Sequence, residues 1–242
     1  MKFAVIGGTG LIGSQVVKSL NAAGHEAVPH SQSTGVDVIT GKGLDEAVAG
    51  ADVLVNLTNS PTFDKDSLAF FQTSMDNLLA AGRKGGIRHF VILSIVGVDK
   101  VPELDYYKAK VLQEDILAAG AIPYSIVRAT QFMEFMDATM SWTTDGDTVR
   151  LPPTPIQPIA AKDVADAVAE VAAGAPLGGI RNIGGPEVFT LDELGRITLS
   201  HKSDGRTVVT DPTAGMFAAV KGDVLTDKNA HLAPTRYADW LS

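Results

Sequence analysis

Cysteine is absent from the 242 residues, which excludes disulfides, a thiolate nucleophile and any cysteine-ligated metal. That absence suits a reducing compartment, and the cytoplasm is the expected location. Basic residues are sparse, 20 Lys and Arg against 28 Asp and Glu, so the formal net charge is -8 and no Lys/Arg cluster occurs. Because phosphate neutralisation supplies most non-specific nucleic-acid affinity, no DNA or RNA partner is expected. No uninterrupted apolar run approaches membrane-spanning length, and the first strand pattern begins at once, leaving no room for a signal peptide; a soluble protein without a membrane partner is expected. The five histidines are scattered, with no His-x-x-x-His or Glu-x-x-His pairing, so no metal site is expected. Internal repeats, low-complexity segments and charged tails are also missing.

What is present is a large apolar fraction, 45%, enough for a sizeable core in one α/β unit with an added lobe. Residues 3–6 form a short continuous apolar run of the kind found in a strand covered on both faces, and Val16, Val17 and Leu20 follow at helical spacing. Between them lies Gly7-Gly8-Thr9-Gly10-Leu11-Ile12-Gly13. A strand that hands over to a helix through glycines permits positive φ and a close approach of backbone to ligand, and the helix N-terminus offers unpaired N–H groups to a pyrophosphate. Both Gly8-x-Gly10-x-x-Gly13 and Gly7-x-x-Gly10-x-x-Gly13 satisfy dinucleotide fingerprints, and the overlap leaves the subclass open.

Strand-like runs recur at 26–29, 52–57, 89–95 and 124–129, separated by helix-like stretches at 44–49, 66–81, 104–119 and 162–173. This alternation predicts a doubly wound parallel sheet of the Rossmann type, with ligand bound beyond the carboxyl ends of the strands. A dinucleotide-binding domain over 1–130 and a small lobe over 131–242, partly interleaved with the sheet, are expected. Within the lobe, 181–186 reads as another strand and 189–194 as a capped helix, with Thr190 as N-cap and Glu193 closing a capping box.

Ser94 ends the strand pattern at 89–95, a loop containing Gly97 follows, and Pro102 fits the first turn of the next helix. In that helix Tyr106 and Lys110 stand at i and i+4, on one face. Carbonyl reduction needs an acid near the carbonyl oxygen; a neighbouring ammonium lowers a phenol's pKa by Coulomb attraction, and a serine hydroxyl steadies the developing alkoxide. Ser94, Tyr106 and Lys110 are therefore the candidate catalytic set. The adjacent Tyr107 is the weaker candidate, since its i+4 neighbour is Val111. The competing reading is a turn-forming serine and a solvated helix face.

Gly7-Gly-Thr-Gly-Leu-Ile-Gly13, the strand ending Leu93-Ser94, Tyr106-Tyr-Lys-Ala-Lys110, Ile126-Val-Arg-Ala-Thr-Gln-Phe132, the stretch from Gln157 through Asp163 and the segment Asn182-Ile-Gly-Gly-Pro186 together resemble the atypical short-chain dehydrogenase/reductases of the NmrA-like group. The resemblance spans essentially the whole chain. It implies an NAD(P)H-dependent reductase of quinones or other small apolar or aromatic carbonyl compounds, with Lys110 also holding the nicotinamide ribose. The same group includes nucleotide-sensing regulators that have lost the tyrosine; retention of Tyr106 and Lys110 favours an enzyme. A redox sensor and a nucleotide-cycling epimerase or dehydratase are the alternatives.

The candidate nucleotide contacts are Gly7, Thr9, Gly10, Leu11, Ile12, Gly13, His30, Ser31, Asp37, Val38, Asn56, Thr58, Lys110, Ala129 and Thr130. The second strand ends His30-Ser31-Gln32-Ser33 with no acid for the ribose hydroxyls, which favours NADP over NAD, although the arginine that would bind a 2′-phosphate is missing. Asp37-Val38 reads either as the pair that meets adenine or as a loop-capping aspartate. The stretch 56–61 is expected to run under the cofactor, mostly through backbone. Phe132, Met133, Phe135, Met136, Met140 and Trp142 read either as an apolar substrate wall or as plain core. Asp163 reads as a dipole-stabilising acid in a first helical turn. An oligomer is compatible with all of this.

Overall fold

The computed structural model describes residues 1–220 and 224–242. The chain alternates strand and helix through its first half: β1 (Lys2–Ile6), α1 (Leu11–Ala22), β2 (Glu26–His30), α2 (Leu44–Val48), β3 (Val53–Asn56), α3 (Asp66–Gly85), β4 (His89–Ile95), α4 (Asp105–Ala118) and β5 (Tyr124–Ala129). It continues through α5 (Met136–Trp142), β6 (Thr144–Asp145), β7 (Thr148–Leu151), β8 (Pro155–Ile156), α6 (Ala161–Ala173), β9 (Gly179–Gly184), β10 (Phe189–Thr190), α7 (Leu191–His201), β11 (Thr207–Thr210), β12 (His231–Leu232) and α8 (Tyr237–Leu241).

Seven strands form one parallel sheet in the order β12-β9-β5-β4-β3-β1-β2, flanked by helices, the expected Rossmann-like α/β fold. Ile6 lies beside His30 on one side and Asn56 on the other, so strand order reverses at β1. Such a reversal opens a crevice beyond the carboxyl ends of the strands, where ligands of open α/β sheets bind. The glycine loop follows β1 directly.

Two compact units make up the chain. One comprises Met1–Ser94, Asp105–Arg128 and Val164–Arg181, and the other comprises Ile95–Leu104, Ala129–Asp163 and Asn182–Ser242. The first is built on an apolar core in which Leu54, Phe90 and Ile92 of the sheet meet Met75 and Leu78 of α3 and Leu117 of α4, all fully buried. Burying each such side chain contributes about 1.5–3 kcal/mol. In the second unit β11, β7 and β6 form a small sheet, β10 pairs with β8, and Met133, Met136, Met140, Leu151, Leu194 and Tyr237 form the core.

Local departures from the sequence reading have local causes. Helix α1 starts at Leu11, so Gly13 lies inside it. Pro102 falls in the turn ahead of α4 and not in its first turn. Thr190 is the N-cap of α7, with extended backbone, but its side chain makes no capping bond and the capping box does not close. Asp192, in the first turn, is held by side chains further along the chain: its Oδ2 accepts from Arg196 at 2.9 Å and Thr210 at 2.6 Å.

Candidate functional site

The glycine loop is fixed by backbone geometry. Gly7 has φ +78, and a Cβ there would stand 2.8 Å from the carbonyl of Leu57. Its N–H and that of Gly8 both donate to the carbonyl oxygen of His30, at 2.8 and 3.1 Å, pinning the loop to the end of β2. A Cβ on Gly13 would lie 2.1 Å from the Gly7 carbonyl oxygen, so α1 can approach the loop only with glycine at that position. Gly10 differs, because a Cβ there would meet only the Gly7 oxygen, at 3.3 Å. The first helical bond of α1 runs from Ser14 N–H to Gly10 O, which leaves the N–H groups of Leu11, Ile12 and Gly13 without intrahelical partners, and no side chain caps them. Backbone donors beside an exposed Gly10 fit the pyrophosphate of a dinucleotide. Thr9 and Leu11 are exposed beside this cradle, while Ile12 is buried.

Asn56 ends β3, buried, with its Oδ1 accepting from Thr58 N–H at 3.0 Å and Thr58 Oγ1 at 2.7 Å. Its side chain thereby fixes the turn after β3. At the end of β2, Ser31 and Ser33 share a hydroxyl–hydroxyl hydrogen bond of 2.8 Å. The His30 imidazole is held below its ordinary pKa by burial and by the Lys2 charge, so it is neutral near neutral pH. Asp37 takes the loop-capping arrangement: Oδ1 accepts the N–H groups of Ile39 at 2.8 Å and Thr40 at 3.3 Å, and these bonds hold its carboxyl below the usual range. Val38 is buried, and Asn77 Nδ2 donates to its carbonyl at 2.9 Å.

Helix α4 carries Tyr106 and Lys110 on a buried face that also holds Tyr107, Ala109, Gln113, Glu114 and Leu117. Lys110 is 4% exposed. Its Nζ donates to the Leu93 carbonyl oxygen at 2.7 Å and to Gln113 Oε1, and it lies 4.9 Å from the centre of the Phe71 ring. Burial pushes its pKa down to about 7, against an opposing pull from Glu114. The bond to Leu93 ties α4 to the end of β4, one residue before Ser94. Ser94 is 4% exposed, and its Oγ has no hydrogen-bond partner among the described residues. A buried hydroxyl left without a partner costs about 1–3 kcal/mol.

Tyr106 departs from the sequence reading. Its hydroxyl donates to Asn59 Oδ1 at 2.5 Å, and burial raises its pKa, with the Asn59 bond acting in the opposite direction. Lys110 is directed at Leu93 and Gln113, so the expected ammonium-lowered phenol is not what the geometry provides. Tyr107 is also buried and pushed up to about 12. Asn59, Gln113 and Glu114 were missed. The last two lie three and four residues after Lys110, a spacing that marks them as its neighbours; Asn59 depends on a loop conformation that no local pattern encodes.

In the second unit, Ala129 and Thr130 are buried, and Thr130 N–H donates to the Ile183 carbonyl at 3.1 Å. The Thr130 Oγ1 is a second buried hydroxyl without a partner among the described residues. The Phe/Met stripe divides: Met133, Met136 and Met140 are core, while Phe135 and Trp142 are exposed and Phe132 stacks on Phe135 at 5.4 Å. Asp163, in the first turn of α6, accepts from Thr235 N–H at 3.2 Å.

The model of the NAD(P)H-binding family matches residues 7–174. A divinyl chlorophyllide a 8-vinyl-reductase from Cucumis sativus is 30% identical over 174 residues, 59% of this chain and 41% of that protein. The photosystem II assembly factor Ycf39 of Synechocystis is 27% identical over 151 residues, 55% of this chain and 46% of that protein. The chain thus spans less than half the length of these curated relatives. Among solved structures, an NADPH-dependent quinone oxidoreductase from Escherichia coli complexed with NADPH superposes with a TM-score of 0.77 at 19% identity, covering 100% of this chain and 98% of that one, a likeness of fold. Among the described residues no helix is long and apolar enough to cross a membrane. With the glycine cradle after β1, the strand reversal beside it and a family match over most of the chain, the protein belongs to the NAD(P)H-binding family.

Proposed function

We propose that the protein is an NADPH-dependent reductase of a small apolar carbonyl or quinone. One observation supports this reading: near the end of β4 the buried Ser94 hydroxyl has no partner among the described residues, and Lys110 ties the preceding residue, Leu93, to the helix bearing Tyr106. The bound nucleotide supplies the hydride. Ser94 donates a hydrogen bond to the carbonyl oxygen and orients it. Tyr106, kept protonated by burial, delivers the proton that the reduced oxygen takes up. Lys110 fixes the Leu93 carbonyl and with it the Ser94 backbone, and contributes to the ribose site. Preference for NADPH rests on the hydroxyls of Ser31 and Ser33 and on the lack of an acid at the end of β2.

A nucleotide-dependent regulator without turnover is the second reading, favoured by the one departure noted above, a phenol that no cation activates. Tyr106→Phe separates the two. With an aldehyde or ketone substrate it should lower kcat by roughly 100-fold or more, the usual worth of general acid catalysis, while calorimetry shows NADPH affinity nearly intact. If the parent protein binds NADPH tightly but oxidises it with no member of a carbonyl and quinone panel, the regulator reading replaces the enzyme.

A further inference from the structure

Tyr106 gives its hydroxyl hydrogen to Asn59 Oδ1 at 2.5 Å. Asn59 is exposed on the loop after β3, whereas Tyr106 is 9% exposed, with Phe63 packed edge-on at 4.9 Å and Phe71 tilted at 6.2 Å. The Asn59 amide nitrogen has no partner among the described residues. Lys110, one turn along α4, is held by Leu93 and Gln113. A phenol that yields its proton in these surroundings leaves a phenolate with aromatic rings about it and no ammonium directed at it. A carboxamide is the neutral side chain that accepts through one end and donates through the other, and rotation about its last torsion exchanges the two.

We propose, resting on the reductase reading, that Asn59 is a catalytic residue: it accepts the Tyr106 hydroxyl at rest and, with its amide turned, donates Nδ2–H to the phenolate oxygen. In that step the Tyr106 O–H bond breaks and an O–H bond forms on the substrate oxygen, whose carbon has taken hydride from the reduced nicotinamide; water reprotonates Tyr106 after product leaves. Exposure of Asn59 leaves the amide free to turn.

The test is Asn59→Asp, which retains an acceptor at the same place and removes the donor. At saturating NADPH, carbonyl turnover should fall by roughly 100-fold or more, with the NADPH KM nearly unchanged and no further loss in a Tyr106→Phe background. A second readout needs no turnover: Asn59→Leu should shift the near-ultraviolet absorption of one of the four tyrosines to shorter wavelength, and the shift should vanish when Tyr106→Phe is also present. Parent-like turnover of Asn59→Asp, an equal loss in the Tyr106→Phe background, or an unshifted spectrum overturns the role of Asn59. If Tyr106→Phe alone is silent, the reductase reading through Tyr106 falls and this role falls with it; if Tyr106→Phe is slow and Asn59→Asp is not, only the role of Asn59 falls.

Discussion

Gly10 and Gly13 are expected to serve two different ends, and single substitutions separate them. At Gly13 an added Cβ collides with the Gly7 carbonyl oxygen at 2.1 Å, so Gly13→Val should destabilise the fold, by about 1–3 kcal/mol or more. At Gly10 the backbone is already in a conformation open to any residue, φ -80, and the nearest contact is 3.3 Å away. Gly10→Ala presses only the Gly7 oxygen and should therefore lower the melting temperature far less than Gly13→Val does, yet weaken NADPH binding about tenfold or more, because one bond to a charged phosphate contributes roughly 1.5–3 kcal/mol. A Gly10→Ala protein that binds as tightly as the parent would remove the pyrophosphate from this loop. At the end of β2, Ser31→Asp sets a carboxylate against a 2′-phosphate and should reverse the preference for NADPH over NADH. Equal affinity of the parent for both nucleotides, measured by calorimetry, would leave no preference to reverse. These positions were legible in the sequence because glycine spacing and the absence of an acid are local facts. Asn59 was not, since its contact with Tyr106 joins residues 47 positions apart through an irregular loop.

Among the elements, α4 carries Tyr106 and Lys110 on a buried face that mixes polar and apolar side chains. Its inward face holds a bidentate pair in which Arg128 Nε and a terminal nitrogen meet Glu114 at 2.9 and 2.6 Å, with side chains 12% and 6% exposed. Glu114→Ala removes a carboxylate from a mostly buried guanidinium and should lower stability, read as a lowered urea midpoint. Replacing both residues by leucine should recover much of that loss, because paired desolvation offsets most of the attraction. An unaltered midpoint in Glu114→Ala would make the pair a surface feature. The helix itself was readable from its length and the Tyr106–Lys110 spacing. Where the lysine would turn was not, because side-chain direction is settled by Leu93 on β4 and by Gln113.

At the scale of the molecule, the parallel sheet was read almost completely: β4 and β5 run over the residues that the apolar runs marked, and β2 and β3 differ only at their ends. Continuous apolar runs survive in any context that buries both faces, so tertiary structure had little to override. The second unit was harder, since β6, β8, β10 and β12 are two residues long and exist only through partners distant in sequence, such as Phe189 beside Ile156. Cysteine being absent, the six methionines hold all of the chain's sulfur. Met75 is fully buried, its Sδ accepting from Asn56 Nδ2 at 3.6 Å and Gln113 Nε2 at 3.9 Å, whereas Met1 is 49% exposed. Dilute peroxide should therefore oxidise Met1 at once and Met75 only when the first unit opens, so that peptide masses followed over time become a clock of that opening. Met133, Met136 and Met140 keep separate time for the second unit. NADPH at about 100 times its Kd should slow the Met75 clock about 100-fold, and equal rates at Met75 and Met1 would show that the sulfur is reached without unfolding.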